Sequence, residues 1–160
     1  MATYKVAGYV KLAKLWEKKR RSALAYHRNY YQEKYDLQPD YDLVDVFVDI
    51  TGKKEIRNRP QMLRLIRSCR DGEVNCISTQ TKAYLAANSR EFCYLIKLLF
   101  SFDSRIEIVT EDLNYYMDTI VEPSQRITLS KMADDYAALN GNDYLAWKLG
   151  ILSEISTLED

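Results

Sequence analysis

An alternation of short β-rich apolar runs with amphipathic helical stretches is what most limits the folds open to this chain. Tyr4 to Val10 reads as a first strand, because Val6, Ala7, Tyr9 and Val10 make a short apolar run with no helical stripe. From about Leu15 to Asp36 the period becomes helical. Trp16, Ala23, Tyr26 and Tyr30 fall on one face, and Lys18, Arg21, Arg28 and Gln32 on the other, until Pro39 ends the pattern. Leu43 to Asp49 alternates too loosely for a strand with one wet face, so it is expected to be largely buried in a parallel sheet. Pro60 suits the first turn of a helix that lines up Met62, Leu65, Ile66 and Cys69, turns Arg64, Arg67 and Arg70 outward and stops at Gly72. A third strand over Val74 to Ser78, a helix over Ser89 to Ser101 capped by Asn88 or Ser89, and a fourth strand over Ile106 to Val109 complete the series. The fold class is therefore α/β, with a mainly parallel sheet of four or more strands between helices. Val6, Val10, Val46, Val48, Ile77 and Ile108 are expected in the sheet's interior.

After Pro123 the strands cease. Leu129, Met132, Ala133, Tyr136 and Leu139 form one helical stripe, Asn140 and Gly141 break it, and Tyr144, Trp147, Ile151, Ile155 and Leu158 form another. The expected division is an α/β domain over 1–122 and a C-terminal helical hairpin over 123–160. The hairpin can close over the domain or bury itself against a partner, and the pattern serves both.

Length and charge narrow the function classes. At 160 residues the chain buries enough core to fold without metal or disulfide staples. Its 23 Lys and Arg balance its 23 Asp and Glu, so a broad positive field is excluded and any polyanion site must be local. The charges are nevertheless sorted, basic from Lys5 to Lys34 and acidic beyond Asp103, which implies intramolecular pairing or a two-signed surface. Cys69, Cys76 and Cys93 lack CxxC spacing and sit in apolar segments, the mark of reduced, buried thiols in a cytoplasmic protein. With His27 the sole histidine, no metal site and no cofactor are expected. No apolar run reaches membrane-spanning length.

Several short pieces recur in a telling order from about Tyr4 to Thr119. AGYVKLAK is similar to a Y-x-R-x-S strand-to-loop motif, and FVDITGKKEIRNRPQMLRLIRSCRDGEVNCI to a D-x-G-x-S-G segment followed by RP-x-x-x-x-L and G-x-x-D. TKAYLAAN falls where L-D-R-L-x-R-N is expected, and a helix, a strand and a TED…DT stretch follow. In this order the chain resembles the catalytic domain of the serine recombinases, the resolvase and invertase family. The resemblance implies a three-layer resolvase-like domain. It also implies an ancestral chemistry in which a serine attacks a DNA phosphate, cationic donors steady the transition state and an acid serves the leaving oxygen.

Each role maps to a position here, and most are lost. The nucleophile's place is Ala13, whose methyl cannot attack phosphorus. Lys11 stands for an arginine and lacks its planar fork. Ala83, Tyr84 and Ala87 replace an aspartate and two arginines, while Arg59, before Pro60, survives. The resemblance thus implies a catalytically inactive protein, not an enzyme, serving as an accessory or regulatory factor in recombination or integration of a mobile element. An active recombinase domain is the alternative, and an unrelated interaction module on the same fold the third reading.

Weak, non-specific DNA contact would fall to Lys11, Lys14, Lys18, Arg21 and Arg59, although a basic run on an amphipathic helix also serves as a plain solvated face. A homo- or hetero-oligomer with a recombinase-like protein is the other implied partner. With no Cys/His framework and an acidic final segment, sequence-specific DNA reading by this chain alone is not expected. Ser22 and Tyr84 carry the nearest hydroxyls, Ser22 within a helix and Tyr84 as a packing phenol. Tyr26, Tyr30, Tyr31 and Tyr35 have the spacing to cover the sheet, which is preferred over the alternative that they stack on single-stranded bases. Tyr115, Tyr116 and Met117 suit a partner surface or a pinned loop equally.

Overall fold

The computed structural model describes residues 3–112 and 116–159, so Tyr115 lies outside the described residues. Four strands form one parallel sheet: β1 (Tyr4–Leu12), β2 (Tyr41–Ile50), β3 (Cys76–Thr79) and β4 (Glu107–Thr110), in the order β2-β1-β3-β4. The chain leaves β1 toward β2, then crosses back to β3. The strand order therefore reverses at β1, and in such sheets the usual place for a site is beyond the carboxyl ends of the strands at the reversal. Val6, Val10, Val46, Val48, Ile77 and Ile108 are all buried in the sheet.

Among the described residues six α-helices dress it: α1 (Arg20–Tyr35), α2 (Pro60–Arg70), α3 (Lys82–Leu85), α4 (Ser89–Phe100), α5 (Ser124–Leu139) and α6 (Asp143–Ser156). One face of the sheet carries α1, whose Ala23, Tyr31 and Tyr35 pack with Val6, Val10, Val46 and Val48. The other face carries α2 and α4, whose Met62, Leu65, Ile66, Leu95 and Leu99 close over Tyr9, Ile77 and Ile108. Pro60 opens α2, Gly72 ends it at φ +79°, and Asn88 caps α4 by accepting from the Glu91 amide at 2.9 Å.

Three expectations need correction. The second strand is buried over Val46 to Asp49, as expected, but not over its first half. It is the sheet's edge, with Asp42, Val44 and Asp45 exposed and a bulge where the register jumps from Leu43 to Asp45. Bulge and carboxylates together leave that edge a poor template for pairing. The long first helix starts later, because Lys14–Lys19 is a 3-10 turn and α1 begins at Arg20. Its buried face is Ala23, His27, Tyr31 and Tyr35, not Trp16, Tyr26 and Tyr30; Trp16 and Tyr26 are 43% and 65% exposed. On α5, Met132 and Leu139 are exposed, and Leu129, Ala133 and Ala137 face inward.

Gly8 explains the choice of helix face. A Cβ built there would stand 2.8 Å from the Tyr31 ring, so α1 lies against the sheet only because β1 offers no side chain at that point. Gly8→Ala is expected to lower stability by about 1 to 3 kcal/mol through overpacking, read as a falling denaturant midpoint at unchanged m-value. An unchanged midpoint would show that Tyr31 yields freely.

The helical hairpin packs on its own domain. Trp147 Nε1 donates to buried Glu91 at 2.8 Å, Arg57 pairs with Glu154 at 3.1 Å, Lys97 with Asp134 at 2.6 Å, and Arg90 with Asp143 at 2.8 Å. Tyr94 also donates to Asp143, whose pKa falls to about 2 because Arg90 and Tyr94 both hydrogen-bond its charged form. The acidic hairpin is thus neutralised by the middle of the chain. From the basic first segment, Lys34 reaches an acidic residue of the second half, Glu111.

Candidate functional site at the strand ends

The residues singled out by sequence gather in part beyond the carboxyl ends of β1 and β3. Lys11, next to last in β1, is half-buried and donates to the Thr51 carbonyl at 3.2 Å. Burial lowers its pKa, and the positive charges of Arg59 and Lys54 lower it further against the pull of Asp49. Ala13 follows β1 directly and is exposed in extended backbone ahead of the 3-10 turn.

Arg59 is fully buried. Its Nη1 donates to the Tyr84 and Leu85 carbonyls at 2.8 and 3.3 Å, its Nη2 donates to the Lys54 carbonyl at 2.7 Å, and its Nε is buried with no partner. The guanidinium thereby ties the loop after β2 to α3. It has no surface to offer a phosphate, so the DNA contact implied for Arg59 lacks the geometry it needs.

Tyr84 is half-buried on α3, while Ala83 and Ala87 are exposed and line a separate cleft of about 260 Å3 with Asn88, Phe92 and Asp112. Lys14, Lys18 and Arg21 are exposed on the 3-10 turn and α1. Lys11, Arg59 and Tyr84 are thus brought together; Ala83, Ala87, Lys18 and Arg21 stand apart from them.

Two residues at the centre of this network lay inside the quoted motifs but were not among the expected site residues. Asp49, at the end of β2, is buried; its Oδ1 accepts from the Gln61 amide at 2.9 Å, and its Oδ2 from the Met62 amide at 2.9 Å and the Tyr9 hydroxyl at 2.8 Å. It closes the amino end of α2 from a neighbouring strand, the task of a capping residue. Tyr9 is fully buried, and its pKa is raised strongly by burial and then by the Asp49 charge, against the lowering influence of Arg59. The hydroxyl beside Arg59 is therefore a sealed phenol that stays protonated. Other hydroxyls at this edge are engaged too: Thr79 donates to the Tyr9 carbonyl at 2.8 Å and Thr81 to Asp112 at 2.9 Å. Ser22 is exposed on α1.

No family model matches the sequence, and no curated protein matches it. Solved structures do. The N-terminal catalytic domain of TP901-1 integrase superposes with a TM-score of 0.60 at 19% identity, covering 86% of this chain and 99% of that one. The fold is that of a serine-recombinase catalytic domain. The C-terminal catalytic domain of ISC1926 TnpA, an IS607-like serine recombinase, gives 0.51 at 17% identity over 86% of this chain and 99% of its own. A resolvase family site-specific recombinase from Streptococcus pneumoniae gives 0.53 at 15% over 94% and 98%. In the serine-recombinase fold as this chain builds it, the strand ends are tied to α2 and α3 by Asp49 and Arg59, both buried. Among the described residues no group of His, Cys, Asp and Glu gathers as a metal site, and no helix is long and apolar enough to cross a membrane.

Proposed function

We propose that this chain is a catalytically inactive relative of the serine recombinases, a cytoplasmic accessory or regulatory factor in DNA recombination or integration by a mobile element. The observation that carries this reading is the end of β1. Two residues beyond Lys11 the backbone emerges at Ala13, exposed and without a hydroxyl, where the resemblance puts the nucleophile. The surroundings support it. Lys11 supplies a compact charge where a fork is needed, Tyr84 and Ala87 supply none, Ala83 supplies no acid, and Arg59 is spent on carbonyls. The three cysteines are free and buried, as fits a reducing compartment. DNA contact, weak and without sequence preference, falls to Lys11, Lys14, Lys18 and Arg21, and a recombinase-like protein is the proposed oligomeric partner.

The test uses supercoiled plasmid with the wild type and with Ala13→Ser, analysed on denaturing gels. Neither protein is expected to give nicked, linear or protein-linked DNA, since each missing transition-state donor costs about 100- to 1000-fold in rate. An adduct with the wild type would mean the nucleophile lies elsewhere. Robust cutting by Ala13→Ser would mean that Lys11 and Arg59 suffice, and the site would then not be dismantled. In gel shifts, binding is expected to fade as salt rises, because counterion release is its main drive; a sharp footprint on one sequence would refute that.

A further inference from the structure

A cleft on the α1 side of the strand ends meets the network of Asp49 and Arg59 only through Tyr84, whose carbonyl accepts from Arg59. It encloses about 540 Å3 between Leu12, Trp16, Ala23, Tyr26, His27 and Tyr84. Trp16 and Tyr26 are far more exposed than rings of their size need be on a well-packed surface, and Tyr26 meets His27 edge-on at 5.0 Å. The walls are flat, aromatic and uncovered.

His27 places one polar group among them. Its Nδ1 is buried without a partner, and burial lowers its pKa, so the ring is neutral at pH 7. A buried N–H without an acceptor costs more than a bare lone pair, which puts the proton on Nε2. Nε2 makes no hydrogen bond among the described residues and is absent from the buried unpartnered atoms, so it is the nitrogen that keeps access to the cleft. The cleft thus offers one N–H donor.

Its flanks are cationic. Lys14 lies between the wall residues Leu12 and Trp16 in the chain, Arg21 precedes Ser22 on the cleft's margin, and Lys18 and Lys19 join them. All four are exposed and make no ion pair among the described residues, whereas Arg57, Arg90, Lys97 and Arg105 are each matched to an acid. With Glu17 of the same segment taken up by Arg20, these four cations leave a net positive run beside the aromatic walls.

We infer that this cleft binds a nucleotide, with the base against the Trp16 and Tyr26 rings within reach of His27 and the phosphate on the flanking basic run. Stacking tolerates any base, and the flanking lysines and arginine supply the charge a phosphate asks for. The aromatic side chain of a partner protein would fill the walls and leave those cations without a counter-charge. The inference is independent of whether the chain cuts DNA.

His27 is the only histidine, so its ring C–H signals in NMR report on the cleft alone. The probes are deoxyadenosine monophosphate, a short single-stranded thymidine oligomer, and inorganic phosphate. The nucleotide probes are expected to shift the His27 signals saturably, and phosphate alone is not. Equal affinity for monophosphate and oligomer would assign a free nucleotide; tighter oligomer binding would assign a nucleotide within a strand. The double variant Trp16→Ala, Tyr26→Ala removes exposed rings and should keep the fold, checked by its thermal midpoint, while weakening binding about 10-fold or more. Lys14→Ala with Arg21→Ala should weaken it further and flatten its salt dependence. No His27 shift with either nucleotide probe, an equal shift with phosphate, or undiminished affinity without the two rings would each overturn the inference. The plasmid assay of Ala13→Ser bears on strand cutting alone, so the two readings fail separately.

Discussion

Asp49→Ala is expected to remove about 3 to 5 kcal/mol of stability, a large share of what a domain of this size holds, and to lower the thermal midpoint by about 10 °C or more. The carboxylate accepts from two backbone amides at the start of α2 and from the Tyr9 hydroxyl, and two of the three donors, Met62 and Tyr9, are fully buried where water does not replace it. Each unsatisfied buried donor costs about 1 to 3 kcal/mol. Tyr9→Phe is the control: it deletes one of the three donors and leaves the carboxylate on the other two, for a cost of about 1 kcal/mol. If Asp49→Ala unfolds within 1 kcal/mol of the wild type in a denaturant titration, the closure of α2 by β2 is not what holds the strand ends together.

That network shows where the sequence could be read and where it could not. The α2 stripe, with Pro60 before it and Gly72 after it, was legible because both ends carry residues whose backbone restrictions are local. Sheet order is not local, so the loosely alternating run from Leu43 to Asp49 carries no sign that β2 has only one neighbour. The burial of α1 failed for a different reason. Tyr26 with Tyr30, and His27 with Tyr31, have the same spacing, and the 3-10 turn changes the angular phase of Trp16 relative to both. What selects His27, Tyr31 and Tyr35 lies elsewhere in the chain: the missing side chain at Gly8, and Ser78, which accepts the Tyr35 hydroxyl at 2.8 Å. At the candidate site, motif order located Lys11, Arg59 and Tyr84 near one another. It could not tell a phosphate-gripping arginine from one that binds backbone carbonyls, because both readings use the same residue before the same proline.

Arg59→Met is expected to cost about 2 to 4 kcal/mol, and Arg59→Lys to recover only part of it. Methionine fills the apolar stem of the arginine but leaves the carbonyls of Lys54, Tyr84 and Leu85 without their donors. Lysine restores the charge, yet its single ammonium cannot span the Lys54 and Tyr84 carbonyls, which the guanidinium meets with separate nitrogens at 2.7 and 2.8 Å. The loop after β2 and α3 are then no longer tied together, so Tyr84 should shift and carry the His27 ring signals with it through the shared cleft. A phosphate contact predicts a different pattern. Removing it would leave the thermal midpoint in place, weaken DNA binding and reduce the salt slope of that binding by about 1. The two outcomes separate cleanly when midpoint and salt slope are measured on the same variants. A lowered midpoint with an unchanged slope assigns Arg59 to the scaffold, while an unchanged midpoint with a reduced slope would return it to the DNA-contacting residues and reopen the strand ends as a phosphate site.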